Sequence, residues 1–141
     1  EFAAVEFVII ADKEPDLEDI SNIRFVKWNQ ASEIRDLLQL DIGIMPLPDD
    51  EWSKGKCGFK ALQYMALEIP AVVSPVGVNP KIVEHGVNGF LWSTPEEWND
   101  ALRKLIGDPE LRKTLGNNAR KKVLDNYSVL SNTNTFLSLF E

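Results

Sequence analysis

The sequence predicts an α/β domain in which a doubly wound parallel sheet carries helices on both faces. Short apolar runs alternate along the chain with segments whose apolar residues recur at helical spacing, as expected of parallel α/β proteins. Residues 41–79 contain a complete strand–loop–helix–strand unit, and residues 94–140 form a tail of helical segments. Because parallel strands need long crossover connections, these observations together indicate a wound sheet.

Two strands and a helix are predicted before the central unit. Residues 4–11 (AVEFVIIA) are nearly all apolar and rich in β-branched residues, as in strands covered on both faces. Residues 12–22 are a polar, acidic loop, and the alternating residues 23–28 predict a short strand. Asn29 or Ser32 is then expected to cap a helix. The apolar positions of that helix repeat at helical spacing: Ile34, Leu37 and Leu38.

The central unit opens with an apolar run, Ile42–Met45, which a proline ends. This run predicts a buried strand that closes into a polar loop over residues 47–57. The helix after Gly58 is expected to bury one face, formed by Phe59, Leu62, Met65 and Ala66. A proline then starts a second strand, residues 71–74, which again stops at a proline and a glycine.

Capping signals mark the helices of the remaining chain. Asn79 is predicted to cap a short helix with proline at its first position, and Gly86 to end that helix. An Asn-Gly pair turns the chain into a brief strand at residues 90–92. Three later helices have caps of their own: Thr94 in a capping box, Asp108 and Ser128.

The best candidate site lies at the start of the central helix. In such a unit the helix N-terminus, with its unpaired N–H groups and positive dipole end, lies at the carboxyl edge of the sheet. Lys56 and Lys60 bracket this N-terminus, and Gly58 lets the backbone approach a ligand closely. The combination predicts binding of a phosphate or diphosphate. The alternative is two solvated surface lysines, which is the role expected of Lys54.

Length and composition exclude several classes of protein. The chain has 141 residues, which predicts a single domain over residues 1–141. A net charge of −7 argues against a nucleic-acid surface. The single cysteine, Cys57, excludes an intramolecular disulfide and fits the cytoplasm. No apolar run approaches the roughly 18 residues of a membrane span, and no His, Cys, Asp or Glu cluster has metal-ligand spacing.

Four motifs occur in a recognisable order. They are KGKCGFKALQYMALEIPAVVSPVG, NPKIVEHGVNGFLW, TPEEW and DPELRKTLGNNARKKV. In this order the chain resembles, over about residues 5–141, the C-terminal, nucleotide-sugar-binding half of GT-B glycosyltransferases of the group 1 type.

The resemblance implies a Rossmann-like domain that binds a nucleotide diphosphate sugar, without a metal or other cofactor, for transfer of a hexose-type sugar to a glycan or lipid acceptor. It implies that Gln63 contacts the ribose hydroxyls and that Gly77 and Asn79 lie near the donor sugar. The acceptor site would belong to an N-terminal GT-B domain, so this chain should be inactive alone. Polysaccharide or other surface-glycan synthesis, at the inner face of the membrane, is the family's common setting.

The sequence departs from the family pattern at two carboxylates. The glutamates of the family's E-x7-E motif fall on Gly55 and Gln63, so no catalytic residue is assigned. Gln63 is otherwise an exposed helix glutamine. Glu68 replaces the usual glycine, which predicts loss of the left-handed residue that ends the helix. A second hypothesis is therefore a non-catalytic GT-B-like module that binds a nucleotide or glycan. The base, the sugar, the acceptor and retention or inversion stay open.

The resemblance also implies a truncation. The family's domain begins with one more strand and helix, and that strand lies mid-sheet. Its absence would leave strand edges unpaired, which predicts self-association of the chain. A flavodoxin-like signalling domain is a further alternative, against which the long helical tail and the lack of an acidic phosphoacceptor pocket argue.

The remaining aromatic residues, Asn79 and His85 are expected to have mainly structural roles. Phe59 is expected to pack in the core. Trp52 and Trp28 could stack on a base or cover loop surface, and packing is the expected role. For Asn79, a helix cap and a ligand contact are equally supported alternatives. His85 is expected to cap carbonyl groups at the end of its short helix, because a single histidine without partners is a weak candidate for a base.

Overall fold

A computed structural model describes residues 5–17 and 22–140, which fall into two compact units, Glu1–Leu40 and Asp41–Glu141. The first unit contains β1 (Phe7–Ala11), β2 (Ile23–Lys27) and α1 (Glu33–Leu37). The second contains β3 (Gly43–Met45), α2 (Glu51–Lys54), α3 (Phe59–Ala66), β4 (Ala71–Val73), α4 (Asn79–Ile82), β5 (Gly89–Leu91), α5 (Pro95–Gly107), α6 (Pro109–Asn126) and α7 (Val129–Leu137), followed by a 3₁₀ turn at Ser138–Phe140.

The first unit pairs β1 and β2 in parallel, so that Phe7 lies opposite Ile23 and Ala11 opposite Lys27. The two predicted strands are confirmed, although the start of the first, at residue 4, lies outside the described residues. The predicted cap position of α1 is confirmed for Ser32, but the side-chain capping bond is absent. Ser32 occupies the cap position, but its hydroxyl donates to the Asp36 carboxylate at 2.6 Å instead of accepting from the helix backbone.

The second unit contains a three-stranded parallel sheet in the order β3-β4-β5. Side chains alternate along the central strand β4, because successive residues of a strand point to opposite faces. Ala71 and Val73 pack with residues of α3, α4 and α6, whereas Val72 packs with residues of α5 and α6. Helices therefore cover both faces of this sheet, and the predicted α/β class with a doubly wound parallel sheet is confirmed.

The buried face of α3 differs from the predicted one. Ala61 and Met65 are fully buried, whereas Phe59 is 59% exposed. The core reached by this helix begins at Ala61, so the first turn of α3 extends beyond it. The prediction that Phe59 packs in the core is wrong.

Two local predictions in the loops are also wrong. The expected polar loop after β3 contains one helical turn, α2, capped by Asp50, whose carboxylate accepts from the Ser53 N–H at 2.7 Å. The short helix α4 ends at Ile82, because the next residue, Val83, is extended. Gly86, with φ of 76°, belongs instead to the turn that leads into β5.

Helix α3 ends in a left-handed residue although no glycine is present there. Glu68 has φ of 62°, so the predicted loss of the left-handed terminator is wrong. Tertiary contacts hold this conformation. Gly116 of α6 is packed so closely against Glu68 that a Cβ at position 116 would collide with the Glu68 carbonyl. The Arg120 guanidinium also lies 3.5 Å from the Glu68 carboxylate.

The caps predicted for the three long helices are confirmed. Thr94 forms a capping box with Glu97, whose N–H lies 3.3 Å from the Thr94 hydroxyl. Asp108 accepts from the Leu111 N–H at 2.9 Å, and the Ser128 hydroxyl accepts from the Ser131 N–H at 3.0 Å. Among the described residues, none of the helices has the length and apolar character needed to cross a membrane.

Candidate functional site

The candidate site is formed by two loops of the second unit, residues 46–58 after β3 and residues 74–78 after β4. We call these two segments the loop site. Adjacent parallel strands end at the same edge of a sheet, so both loops emerge together there. This is the edge at which α/β proteins bind ligands.

Ser74 ties the first loop to the second. Its hydroxyl accepts from the Leu47 N–H at 2.6 Å, and it lies 3.4 Å from the Met45 carbonyl, to which it donates. Ser74 is only 4% exposed. Because both contacts are shielded from water, the chain leaving β3 has one fixed direction. Nothing in the residue pattern indicates this role, because in sequence Ser74 is simply the last residue of a predicted strand.

Asn79 holds the second loop from within the protein. Its side chain is 1% exposed, and its Nδ2 donates to the Ser74 carbonyl at 2.9 Å. Val78 occupies the cap position of α4, and the Asn79 side chain makes no capping bond. The interpretation of Asn79 as a helix cap is wrong, because its amide spans the turn back to the end of β4.

Two glycines allow close backbone packing in the loop site. Gly77 has φ of 60°, and a Cβ there would lie 2.8 Å from the Lys54 carbonyl oxygen. Gly58 has φ of 69° at the start of α3 and faces Ile82 and Asn79. A side chain at either position would be strained by the backbone angle and would meet neighbouring atoms. The β4–α4 segment therefore lies directly against both the end of α2 and the start of α3.

The predicted basic residues surround the start of α3. Lys56 and Lys60 are both exposed, and the positive charge of Lys56 is one of the causes that lower the pKa of Asp50. The largest of these causes is the Ser53 backbone N–H that the Asp50 carboxylate accepts. Gly58 occupies the cap position of α3 and, having no side chain, makes no capping bond to that helix.

Lys54 is exposed, as expected of a solvated lysine, and its ammonium group also pairs with two carboxylates. Its ammonium group lies 3.2 Å from the Glu51 carboxylate and 3.3 Å from the Asp49 carboxylate. The hydrogen bond to Glu51, followed by that to Asp49, raises the pKa of Lys54. Because these pairs are solvent-exposed, water screens them and they add little to the stability of the fold.

Gln63, the predicted ribose contact, is half-buried on α3. The alternative of an exposed helix glutamine is wrong. Its Oε1 atom is buried and has no hydrogen-bond partner among the described residues. A buried amide oxygen without a donor is costly, so this atom is a suitable acceptor for a ligand hydroxyl.

Trp52 and His85 both differ from their predicted roles. Trp52, expected to pack, is 81% exposed on α2. His85 lies beyond the end of α4, and its Nδ1 is 3.0 Å from the Leu91 carbonyl oxygen and 3.2 Å from the Leu91 nitrogen. It therefore contacts the strand β5 and caps no helix. In residues 5–17 and 22–140 there is no group of three or more His, Cys, Asp or Glu residues arranged to hold a metal ion.

The comparisons with known proteins agree with one another. Residues 16–122 match the family model described as "Glycosyl transferases group 1". Glycosyltransferase 1 domain-containing protein 1 of Xenopus tropicalis is 26% identical over 135 residues, which are 96% of this chain and 38% of that protein. The chain thus spans well under half of this relative's length.

Solved structures show the same relationship. The C-terminal domain of the group 1 glycosyltransferase LpcC from Francisella tularensis is 26% identical, with a TM-score of 0.60, over 77% of this chain and 55% of that one. HepE from Anabaena, solved in complex with UDP and glucose, is 20% identical, with a TM-score of 0.68, over 85% of this chain and 32% of that one. The family match covers more than half of the sequence, and the chain therefore belongs to the group 1 glycosyltransferases of the GT-B fold.

Proposed function

We propose that this chain is part of the donor-binding domain of a glycosyltransferase that moves a hexose-type sugar from a nucleotide diphosphate donor to a glycan or lipid acceptor. One observation supports this most strongly. The N-terminus of α3, where the cap residue is a glycine and Lys56 and Lys60 lie close in sequence, is at the carboxyl edge of the sheet, next to the loop after β4 that Asn79 holds. Such a site favours a diphosphate.

The proposed roles of individual residues follow from this position. The Lys56 and Lys60 ammonium groups and the α3 dipole would offset the charge that develops on the diphosphate as the sugar leaves, which lowers the barrier without a bound metal. Gly58 would permit close approach of the phosphates. The buried Gln63 Oε1 would accept a hydrogen bond from a ribose hydroxyl. Gly77 and Asn79 would shape the loop beside the donor sugar.

Acceptor binding and proton transfer would require residues outside this chain. The acceptor site and any catalytic base would belong to an N-terminal GT-B domain, so we expect no sugar transfer by this chain alone. The proposed setting is cytoplasmic synthesis of surface polysaccharide at the inner membrane face. We also propose self-association of the chain, because in the part of the chain that the structure describes β3 is an edge strand of its sheet and β1 pairs with β2 alone. A monomer at every micromolar concentration in light scattering would exclude self-association.

One observation favours a second function. Gly55 and Gln63 stand where carboxylates are usual in this family, and Gln63 binds a diol less strongly than a glutamate would. A non-catalytic module that holds a nucleotide or a glycan is the alternative. The two lysines favour the enzyme over a module that binds only a glycan, because such a module has no phosphate ligand that would need them at a helix N-terminus.

The test is calorimetric titration with UDP, GDP and ADP. UDP is the first choice because the Anabaena fold relative was solved with it. Lys60→Ala should weaken binding of the preferred nucleotide by about 1–3 kcal/mol, the scale of a lost charged hydrogen bond. The matched control is Lys113→Ala, which removes an exposed lysine of α6 outside the loop site and should leave affinity unchanged.

Equal effects of the two substitutions would show that Lys60 acts only through net charge and would overturn its assigned role. Tight nucleotide binding by a full-length enzyme that cannot transfer sugar would favour the non-catalytic module.

A further inference from the structure

Trp52 is the most exposed of the Trp, Tyr and Phe side chains in the described residues, with 81% of its surface open to solvent. Because so little of this indole is buried, it adds little hydrophobic stabilisation to the fold. Tryptophan is also a residue that proteins place where an apolar ring meets a ligand or partner. It lies in the loop site, four residues before Lys56.

The backbone that carries Trp52 is held in place. Asp50 caps α2 through the Ser53 N–H at 2.7 Å, and Ser53 itself is 2% exposed. The next residue, Lys54, has its backbone against Gly77. The backbone that carries Trp52 therefore needs little further ordering when a ligand binds, and only the indole side chain has to be ordered.

The charges next to Trp52 indicate what kind of ligand it suits. Three consecutive carboxylates precede it, Asp49, Asp50 and Glu51. Lys54 pairs with the first and the third, and the pKa of Asp50 is lowered, so Asp50 remains ionised at neutral pH. Carboxylates repel a diphosphate but accept hydrogen bonds from hydroxyl groups. An aromatic residue that directly follows such acceptors in sequence suits a neutral, hydroxylated ligand.

We propose that Trp52 is a stacking platform for a sugar ring bound at the loop site. The apolar C–H face of a pyranose carries partial positive charge and matches the negative face of the indole. This inference rests on the proposed function and adds a specificity residue to the same site. The ring is either the sugar of the nucleotide donor or a sugar of the acceptor, and both present the same chemistry to Trp52.

The test compares the unchanged protein, Trp52→Ala and Trp52→Phe by calorimetric titration with UDP, with UDP-glucose, and with glucose in the presence of UDP. For a donor sugar, Trp52→Ala weakens UDP-glucose binding roughly tenfold and leaves UDP binding unchanged. For an acceptor sugar, it leaves UDP-glucose binding unchanged and weakens glucose binding to the UDP complex. In either case Trp52→Phe restores most of the affinity, because it keeps a ring.

Phe140→Ala is the matched control, since it removes another exposed aromatic ring, 76% exposed, far along the chain. It should change none of the three affinities, and neither it nor Trp52→Ala should alter the melting temperature. Unchanged affinities for all ligands in Trp52→Ala would overturn the proposal. An equal loss for UDP and UDP-glucose would also overturn it, because the ring would then contact the nucleotide.

Failure of the proposed function gives a different result. An unchanged protein that binds glucose but not UDP, with the glucose affinity lost in Trp52→Ala, would overturn nucleotide binding while supporting the sugar platform. A protein that binds none of the ligands would overturn both.

Discussion

The backbone of Gly77 lies against the backbone of Lys54, and this contact joins the loops that follow two neighbouring strands. A Cβ at position 77 would lie 2.8 Å from the Lys54 carbonyl oxygen and 3.2 Å from its Cα. Lys54 is part of the helix α2 that carries Trp52, and Gly77 follows the end of β4. The geometry of the loop site therefore depends on the absence of one side chain.

Gly77→Ala should destabilise the protein by about 1–3 kcal/mol, because alanine is strained at φ of 60° and its Cβ meets backbone atoms that cannot rotate away. We also expect weaker nucleotide binding, since the loops must separate. The matched control is Gly107→Ala, where a Cβ meets nothing within 4 Å. Denaturant unfolding measures the stability of both variants. Equal stabilities of Gly77→Ala and Gly107→Ala would contradict the close backbone contact between Gly77 and Lys54.

Glu68→Gly should stabilise the protein by about 0.5–1 kcal/mol, because glycine adopts φ of 62° without the strain that glutamate bears. The substitution also removes the exposed ion pair with Arg120, which is worth about 0–1 kcal/mol. Glu68→Ala removes the same ion pair but keeps the strain, so it is the proper comparison. In thermal unfolding, the melting temperature of Glu68→Gly should be higher than that of Glu68→Ala. The reverse order would show that the left-handed residue is not strained.

Asn79→Ala should cost about 1–3 kcal/mol of stability, because it leaves the Ser74 carbonyl without its buried donor. We expect nucleotide affinity to fall as well, since Asn79 fixes the loop after β4. Asn117→Ala, at an exposed position of α6, is the control and should be nearly neutral. Chemical denaturation combined with UDP titration distinguishes a loop effect from general unfolding, provided that the titration is done where both variants are folded.

The buried hydroxyl of Tyr64 should make the protein less stable at alkaline pH. Burial raises the pKa of its hydroxyl above the ordinary value of 10.0, because the ionised form is poorly solvated. Below pH 10 the phenol is neutral in both states and the effect is absent. As pH rises above the unfolded-state pKa, the unfolded chain loses its proton first, so stability declines until the folded pKa is passed.

Unfolding measured across this alkaline range should show a shallower decline in Tyr64→Phe. Tyr127→Phe keeps Tyr64 and should retain the original decline. A Tyr64→Phe profile that matches the unchanged protein would refute the role of Tyr64.

Much of the fold was predictable because its causes are local. The strands β1 and β4 coincide with apolar runs in the sequence. The three helix caps bond to backbone N–H groups only three residues further along the chain: Thr94, Asp108 and Ser128. Burial of a helix face depends on distant partners. For this reason the spacing of α3 did not reveal that Phe59 projects beyond the core while Ala61 lies within it.

By itself, the sequence determined the class of this protein: alternating strands and helices, a basic segment at a helix N-terminus, and motifs of the group 1 glycosyltransferases. Only the tertiary structure decided how the site is held. Ser74, Asn79 and Gly77 act on segments remote in sequence or across a turn. Their roles depend on which atoms folding brings together, and residue type or spacing does not record those contacts. The same holds for Trp52, whose exposure exists only once its neighbours are in place.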